Sequence, residues 1–275
     1  MQHSSSPSLF SPSFPQLEKP LLVMLPGMDG TGKLFMSQIQ SLSRYFDVRC
    51  LSIPENNRQD WKDLAQSVVE LIYHAQRKRL TYLCGESFGG CLALQVALTA
   101  PQILSRLVVI NPASALRRQA WLRWTTQYSE LVPEWLFKTS GAIALPLLAN
   151  FDRIDETQRH LFVKTVRPIS QSCVTWRIKM LNRFEANPDH LKRLSTPTAL
   201  LASGRDRLFP SDKEARLLSQ YLPNAVIRAL PHSGHVCLLE KDIDLADCLA
   251  SLNFLPKQSN RKQSQQLSPL ETSNS

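Results

Sequence analysis

A serine between two glycines, at the join of a buried strand and a helix, forces a chain into one of the tightest turns that proteins use. Residues 80–90 read LTYLCGESFGG. Leu80, Tyr82, Leu83 and Cys84 form a short apolar run, Gly85 and Gly89 flank Ser87, and CLALQVALTA continues as a helix that Pro101 stops. On such a turn the serine backbone is strained, and small neighbours are needed so that strand and helix can approach closely. The frame therefore points to a serine nucleophile, with Ser87 supplying the oxygen. An ordinary Gly- and Ser-rich βα loop can match the pentapeptide G-x-S-x-G. The strand before it and the helix after it are what favour the nucleophile.

A serine hydroxyl is a poor nucleophile alone. An imidazole must take its proton during attack and return it to the leaving group, and a buried carboxylate must hold that imidazole in one tautomer. In α/β-hydrolases the acid and then the histidine follow the serine in chain order, each on a loop after a late strand. PTALLAS (197–203) reads as an apolar strand and GRDRLFP follows it, which makes Asp206 the candidate acid. AVIRAL (225–230) reads as the last strand, and PHSGHVCLLE leads from it into a helix expected over Leu238 to Leu252. His235 in that loop is the candidate base. His232 is its competitor, but it stands beside Pro231, closer to the strand end. The bland alternatives are a helix-capping turn aspartate and a loop histidine without a task. Order and placement relative to Ser87 favour the triad.

Charge also develops on a substrate oxygen during such an attack. Two backbone N–H groups ordinarily meet it, one from the residue after the nucleophile and one from the loop after an early strand. Here these are Phe88 and Met28, the latter in PGMDGTG directly after the strand KPLLVML. The loop has a rival reading as a phosphate cradle. Gly27, Gly32 and Lys33 fit a P-loop, but Leu34 stands where the magnesium-binding hydroxyl is required, and the glycines are wrongly spaced for a dinucleotide fingerprint. Asp29 is expected to shape the loop by accepting backbone hydrogen bonds; a catalytic role for it is the minor alternative.

The runs LPGMDGTG, RCLSIP, GESFGGCLAL, VINPAS, LLASGRDRLFPS and SGHVCLLE resemble the hydrolase domain of the plastid phytyl ester synthase and diacylglycerol acyltransferase family and of its cyanobacterial relatives. The resemblance covers about Pro20 to Leu255. It implies an α/β-hydrolase fold and acyl transfer among lipid esters, with Ser87, Asp206 and His235 at the triad positions. The plant enzymes carry a further acyltransferase domain with an H-x-x-x-x-D motif. No histidine of this sequence has aspartate at that distance, and His235 has Glu240 there. Any acyl transfer is then expected to use Ser87, and plain hydrolysis gains weight.

At 275 residues and 43% hydrophobic content, the chain can bury a full core without disulfides or metal. Strands alternate with amphipathic helices from Leu21 to Gln220, the pattern of a mostly parallel sheet with helices on both faces. One such helix is expected from Asp60 to Arg79, with Trp61, Leu64, Val68, Leu71 and Ile72 on its core side and Trp61 acting as a packing residue. Residues 19–113 and 196–256 form the expected hydrolase core, and 114–195, where the alternation breaks, the expected helical cap or lid. Four of the five tryptophans fall in that segment, and Trp121, Trp124 and Trp135 are the candidate lid and substrate residues. It holds thirteen Lys and Arg against seven Asp and Glu, six of the nine net positive charges. Arg117, Arg118, Trp121, Arg123 and Trp124 therefore suit contact with an anionic membrane surface, or alternatively a cap with solvated charges and packed aromatics.

Nucleic-acid binding is disfavoured despite a pI near 9.4, because the charge is spread and no recognition motif is present. The six cysteines form no C-x-x-C pair and read as reduced core thiols. No metal or cofactor is indicated. Residues 1–18 and 257–275 read as unstructured tails, and neither a signal peptide nor a membrane-spanning stretch is visible. The expected location is cytoplasmic or peripheral to a membrane. Three functions remain: a serine acyl hydrolase acting on lipid or other hydrophobic esters, a lipid acyltransferase using the same acyl-enzyme, and a silent ligand-binding hydrolase fold.

Overall fold

The computed structural model describes residues 5–118 and 146–257, with only the backbone of Arg117. Trp121, Arg123, Trp124 and Trp135, the expected lid aromatics and their neighbouring cation, lie outside the described residues.

The residues LLVML at Leu21–Leu25 have no polar member and are fully buried, as a strand covered on both faces must be. This strand, β2, lies near the middle of a sheet with β1 (Ser8–Phe10), β3 (Asp47–Ser52), β4 (Thr81–Glu86), β5 (Arg106–Ile110), β6 (Thr198–Ser203) and β7 (Ala225–Leu230). The order across the 7-stranded sheet is β1-β3-β2-β4-β5-β6-β7. Every neighbouring pair is parallel except β1 with β3. Alternate side chains of β2 enter two separate apolar clusters. Leu21, Val23 and Leu25 pack with residues of α2 (Trp61–Gln76), α3 (Phe88–Thr99) and α7 (Ser211–Tyr221). Leu22 and Met24 pack with those of α1 (Met36–Leu42) and α8 (Leu245–Ser251) on the other face.

Helix α2 begins where the Asp60 carboxylate accepts from the Asp63 N–H at 2.9 Å, and it ends where Arg77 and Lys78 turn left-handed. Trp61, Leu64, Val68 and Ile72 are buried as the spacing predicts, with Leu71 packed at their margin. Trp61 stacks on Phe88 and gives its indole N–H to the Met180 carbonyl, a packing role. Between β5 and β6 the chain leaves the sheet for α4 (Glu156–Val166), α5 (Gln171–Arg183) and the short α6 (Pro188–Leu191). Asp155, Ser170 and Asn187 cap the three N-termini. The six cysteines are buried free thiols.

Two local expectations fail. Residues 1–18 are not wholly unstructured, because β1 pairs with β3 from Ser8↔Ser52 to Phe10↔Cys50, and Leu9 and Phe10 pack on the core. A three-residue edge strand between Pro7 and Pro12 needs no amide from proline, so a Ser- and Pro-rich composition hides it. The helix expected from Leu238 to Leu252 is broken as well. A single 3-10 turn spans Cys237–Leu239, Glu240 is extended, and α8 starts only at Leu245, capped by Asp244. The apolar spacing runs through both pieces, but the Glu240 carboxylate is held by Gly234 and Arg153, which keeps its backbone out of the helix.

Candidate active site

Ser87 sits between β4 and α3 at φ 57° and ψ −115°, a conformation that costs a non-glycine residue strain. The two flanking glycines make the turn possible. A Cβ on Gly85 would lie 2.0 Å from the Gly89 carbonyl oxygen, and one on Gly89 would lie 2.1 Å from that of Leu25. The Ser87 N–H donates to the Ile110 carbonyl at 2.9 Å and ties the turn to β5.

The three sequence-predicted side chains meet at the carboxyl edge of the sheet. His235 Nε2 is 2.8 Å from Ser87 Oγ, and its Nδ1 is 2.7 Å from Asp206 Oδ2. His235 is 1% exposed, so water does not compete for either contact. Asp206 also accepts from the Leu208 and Phe209 N–H groups and from the Ser211 hydroxyl. The same carboxylate thus bonds to its own turn and to the histidine ring. Burial opposes charge on His235, but the Asp206 charge and hydrogen bond, with Glu86 nearby, overcome it and raise the imidazole above its ordinary value. Burial likewise works against ionised Asp206. The His235 charge and the bonds from His235, Ser211 and Phe209 outweigh it and hold the carboxyl below its ordinary range. His232, the competitor, is exposed.

Several residues that sequence reasoning passed over hold this arrangement. Asn111, at φ 42°, donates from Nδ2 to the His235 carbonyl at 2.7 Å and to Ser203 Oγ at 2.8 Å, and accepts from the Ser203 N–H. Glu240 accepts from the Gly234 N–H at 2.7 Å and pairs with Arg153 at 2.8 Å, joining the histidine loop to the insertion between β5 and β6. Glu86 is sealed beside the nucleophile, and burial drives its carboxyl up to about 7. A charged residue ending an apolar strand was its visible signal. Asn111 carried none, since its partners are distant in sequence; Glu240 was visible as part of the histidine-loop motif, but nothing along the chain pointed to its pairing with Arg153.

Gly27 brings the loop after β2 against the nucleophile, a Cβ there lying 3.8 Å from that of Ser87. Met28 follows it, and Phe88 opens α3, whose first N–H groups have no carbonyl within the helix to bond. Asp29 accepts from the Thr31 N–H and hydroxyl, the loop-shaping role expected of it. Arg118, one of the cations expected at a membrane surface, pairs with buried Glu214 of α7, as does the Ser114 hydroxyl. Among the described residues no three His, Cys, Asp or Glu side chains group as metal ligands.

A family model described as alpha/beta hydrolase fold matches residues 20–242. The chain belongs to the α/β-hydrolase family. As an enzyme of that type it is similar to phytyl ester synthase 1, chloroplastic, of Arabidopsis thaliana, with 31% identity over 268 residues, 87% of this chain and 38% of the plant protein. It thus spans about two fifths of that relative's length. It is 26% identical over 237 residues to a putative carbamate hydrolase, RutD, of Serratia proteamaculans strain 568, covering 78% of this chain and 84% of that one. A hydrolase structure from Pseudomonas aeruginosa PA01 superposes with a TM-score of 0.74 at 21% identity, covering 90% of this chain and 92% of its own, a likeness of fold.

Proposed function

We propose that this α/β-hydrolase acts on lipid or other hydrophobic esters through an acyl-enzyme on Ser87. The observation that carries the reading is the unbroken buried relay from Ser87 Oγ through the two ring nitrogens of His235 to Asp206. In this mechanism His235 takes the Ser87 proton as the oxygen attacks the ester carbonyl. Asp206 stabilises the imidazolium without itself being protonated. The Met28 and Phe88 N–H groups receive the oxyanion, and His235 returns the proton to the departing alkoxide. Water, activated by the same imidazole, then releases the acid.

Acyl transfer to a long-chain alcohol or diacylglycerol is the second reading, and the plant relative whose name is phytyl ester synthase favours it. The two differ only in whether water or an alcohol reaches the acyl-enzyme. Incubating the protein with a long-chain acyl ester, with and without phytol or another long-chain alcohol, separates them. Free acid alone supports hydrolysis, and a new ester formed at the acid's expense supports transfer. A fluorophosphonate is expected to label wild type and not Ser87→Ala. An unlabelled wild type would leave a silent ligand-binding fold instead.

A further inference from the structure

The loop expected to supply an oxyanion donor is held in place by a cation from the insertion. Gly27 to Gly30 form a four-residue turn closed by the Gly30 N–H on the Gly27 carbonyl at 3.1 Å. The peptide in the middle of that turn carries the Met28 carbonyl, and Arg177 of α5 donates to it from Nη1 at 2.6 Å. Its Nη2 donates to the Ile53 carbonyl at 2.9 Å, while the Ile53 N–H donates to the Gly30 carbonyl at 2.7 Å. The turn, the chain after β3 and α5 thus close one hydrogen-bonded ring. Arg177 is 3% exposed, and burial pulls its guanidinium below the ordinary arginine value. Both hydrogen bonds go to neutral carbonyls, and the nearby Asp29 and Glu55 charges offset the burial only in part. Burying a cation on such partners is an expensive way to pack two elements, and an apolar side chain of similar volume would do so at lower cost. What the guanidinium adds is direction, since its planar fork fixes two carbonyls at once.

Gly30 is shaped for it. The residue lies at φ +68°, and a Cβ there would fall 2.4 Å from Arg177 Nη2, so the guanidinium lies against the bare backbone. We propose that Arg177 is a positioning residue for the oxyanion hole, through which the insertion between β5 and β6 fixes the turn that presents the Met28 N–H. The inference rests on the ester-cleaving reading above. An oxyanion donor matters chiefly in the transition state, so its displacement lowers turnover more than substrate affinity. A misplacement of about 1 Å can cost on the order of 10²-fold.

The test measures kcat and KM on a short-chain p-nitrophenyl ester, the inhibition constant of an alkylboronic acid that mimics the tetrahedral oxyanion, and the melting temperature. The proteins are wild type, Arg177→Met, Arg177→Lys and Gly30→Ala. For Arg177→Met the expected result is a fall in kcat of about tenfold to a hundredfold, a parallel loss of boronate affinity and a KM within about threefold of wild type. Arg177→Lys, which keeps one donor and the charge, should recover part of the loss. Gly30→Ala should show a loss at least as large, because its methyl group meets the guanidinium and a φ of +68° also strains any side chain there. A folded Arg177→Met with kcat and boronate affinity within about twofold of wild type, or with a change in KM alone, overturns the proposal. Should Arg177→Met not fold, Arg177→Lys decides by the same two readings: a loss of kcat and boronate affinity at unchanged KM supports the proposal, and both within about twofold of wild type overturns it. Absence of turnover in wild type would instead strike at the ester-cleaving reading itself, and this inference would fall with it.

Discussion

Glu86 sets a condition on the candidate site at the scale of one residue. Its carboxyl is closed off from water, and burial, the dominant influence, lifts it to about 7, while the His235 charge and the Leu238 N–H pull the other way. The folded chain therefore holds this proton more tightly than the unfolded chain between about pH 4.5 and 7. Stability from this group falls as pH rises through that window. Glu86→Gln removes the effect. The variant should gain on wild type between pH 5 and pH 8 by on the order of 2 kcal/mol, read from urea melts at the two values. Where the Glu86 carboxyl ionises, towards and above about pH 7, it is a negative neighbour of His235, whose imidazole must be neutral to act as base, and the same substitution removes that charge. The acid limb of kcat/KM, expected above pH 6.5 in wild type, should move to lower pH in Glu86→Gln; an unmoved limb would show that the carboxyl does not act on the imidazole. The sequence shows Glu86 as a charge in an apolar run. Only its burial in the folded chain, away from water, shows that the charge is suppressed.

Among the elements, the strand–turn–helix unit around Ser87 is where local sequence and tertiary contact agree most closely. Gly85 and Gly89 are required by contacts to backbone, which cannot step aside as a flexible side chain can. Gly89→Ala should accordingly cost about 3 kcal/mol or more, seen as a large fall in melting temperature or as insoluble protein. A melting temperature within a few degrees of wild type would mean that α3 can slide away from β2. The neighbouring element shows the reverse case. The segment from Leu238 to Leu252 has helical spacing throughout, yet Glu240 is recruited by Gly234 and Arg153 and α8 is confined to its second half. Long-range partners overrode local periodicity there, and the outcome was not visible in the segment alone. The strand β1 escaped notice for a different reason, since three residues are too few to display a period.

At the scale of the whole molecule, charge and position point to one further test. The chain carries a net +9, and α4 with the residue that follows it exposes Arg159, His160, Lys164 and Arg167, the last three bordering a shallow groove of about 430 Å³. Among the described residues no helix is long and apolar enough to cross a membrane. We propose peripheral contact with anionic lipid. The protein should co-sediment with phosphatidylserine-containing vesicles at low salt and be released at about 0.5 M salt, where screening is short-ranged. Equal recovery with neutral vesicles, or none with either, would remove this proposal. The sequence by itself determined the alternation of strands and helices, the glycine-framed serine and the chain order of Ser87, Asp206 and His235, because each is written in local pattern: periodicity, close-approach glycines, loops at strand ends. Tertiary structure alone decided that Asn111 and Glu240 brace the histidine loop, that Glu86 is held near neutrality, and that Arg177 reaches the turn at Met28. Those facts depend on which distant backbone atoms burial brings within 3 Å, and no spacing along the chain encodes that distance.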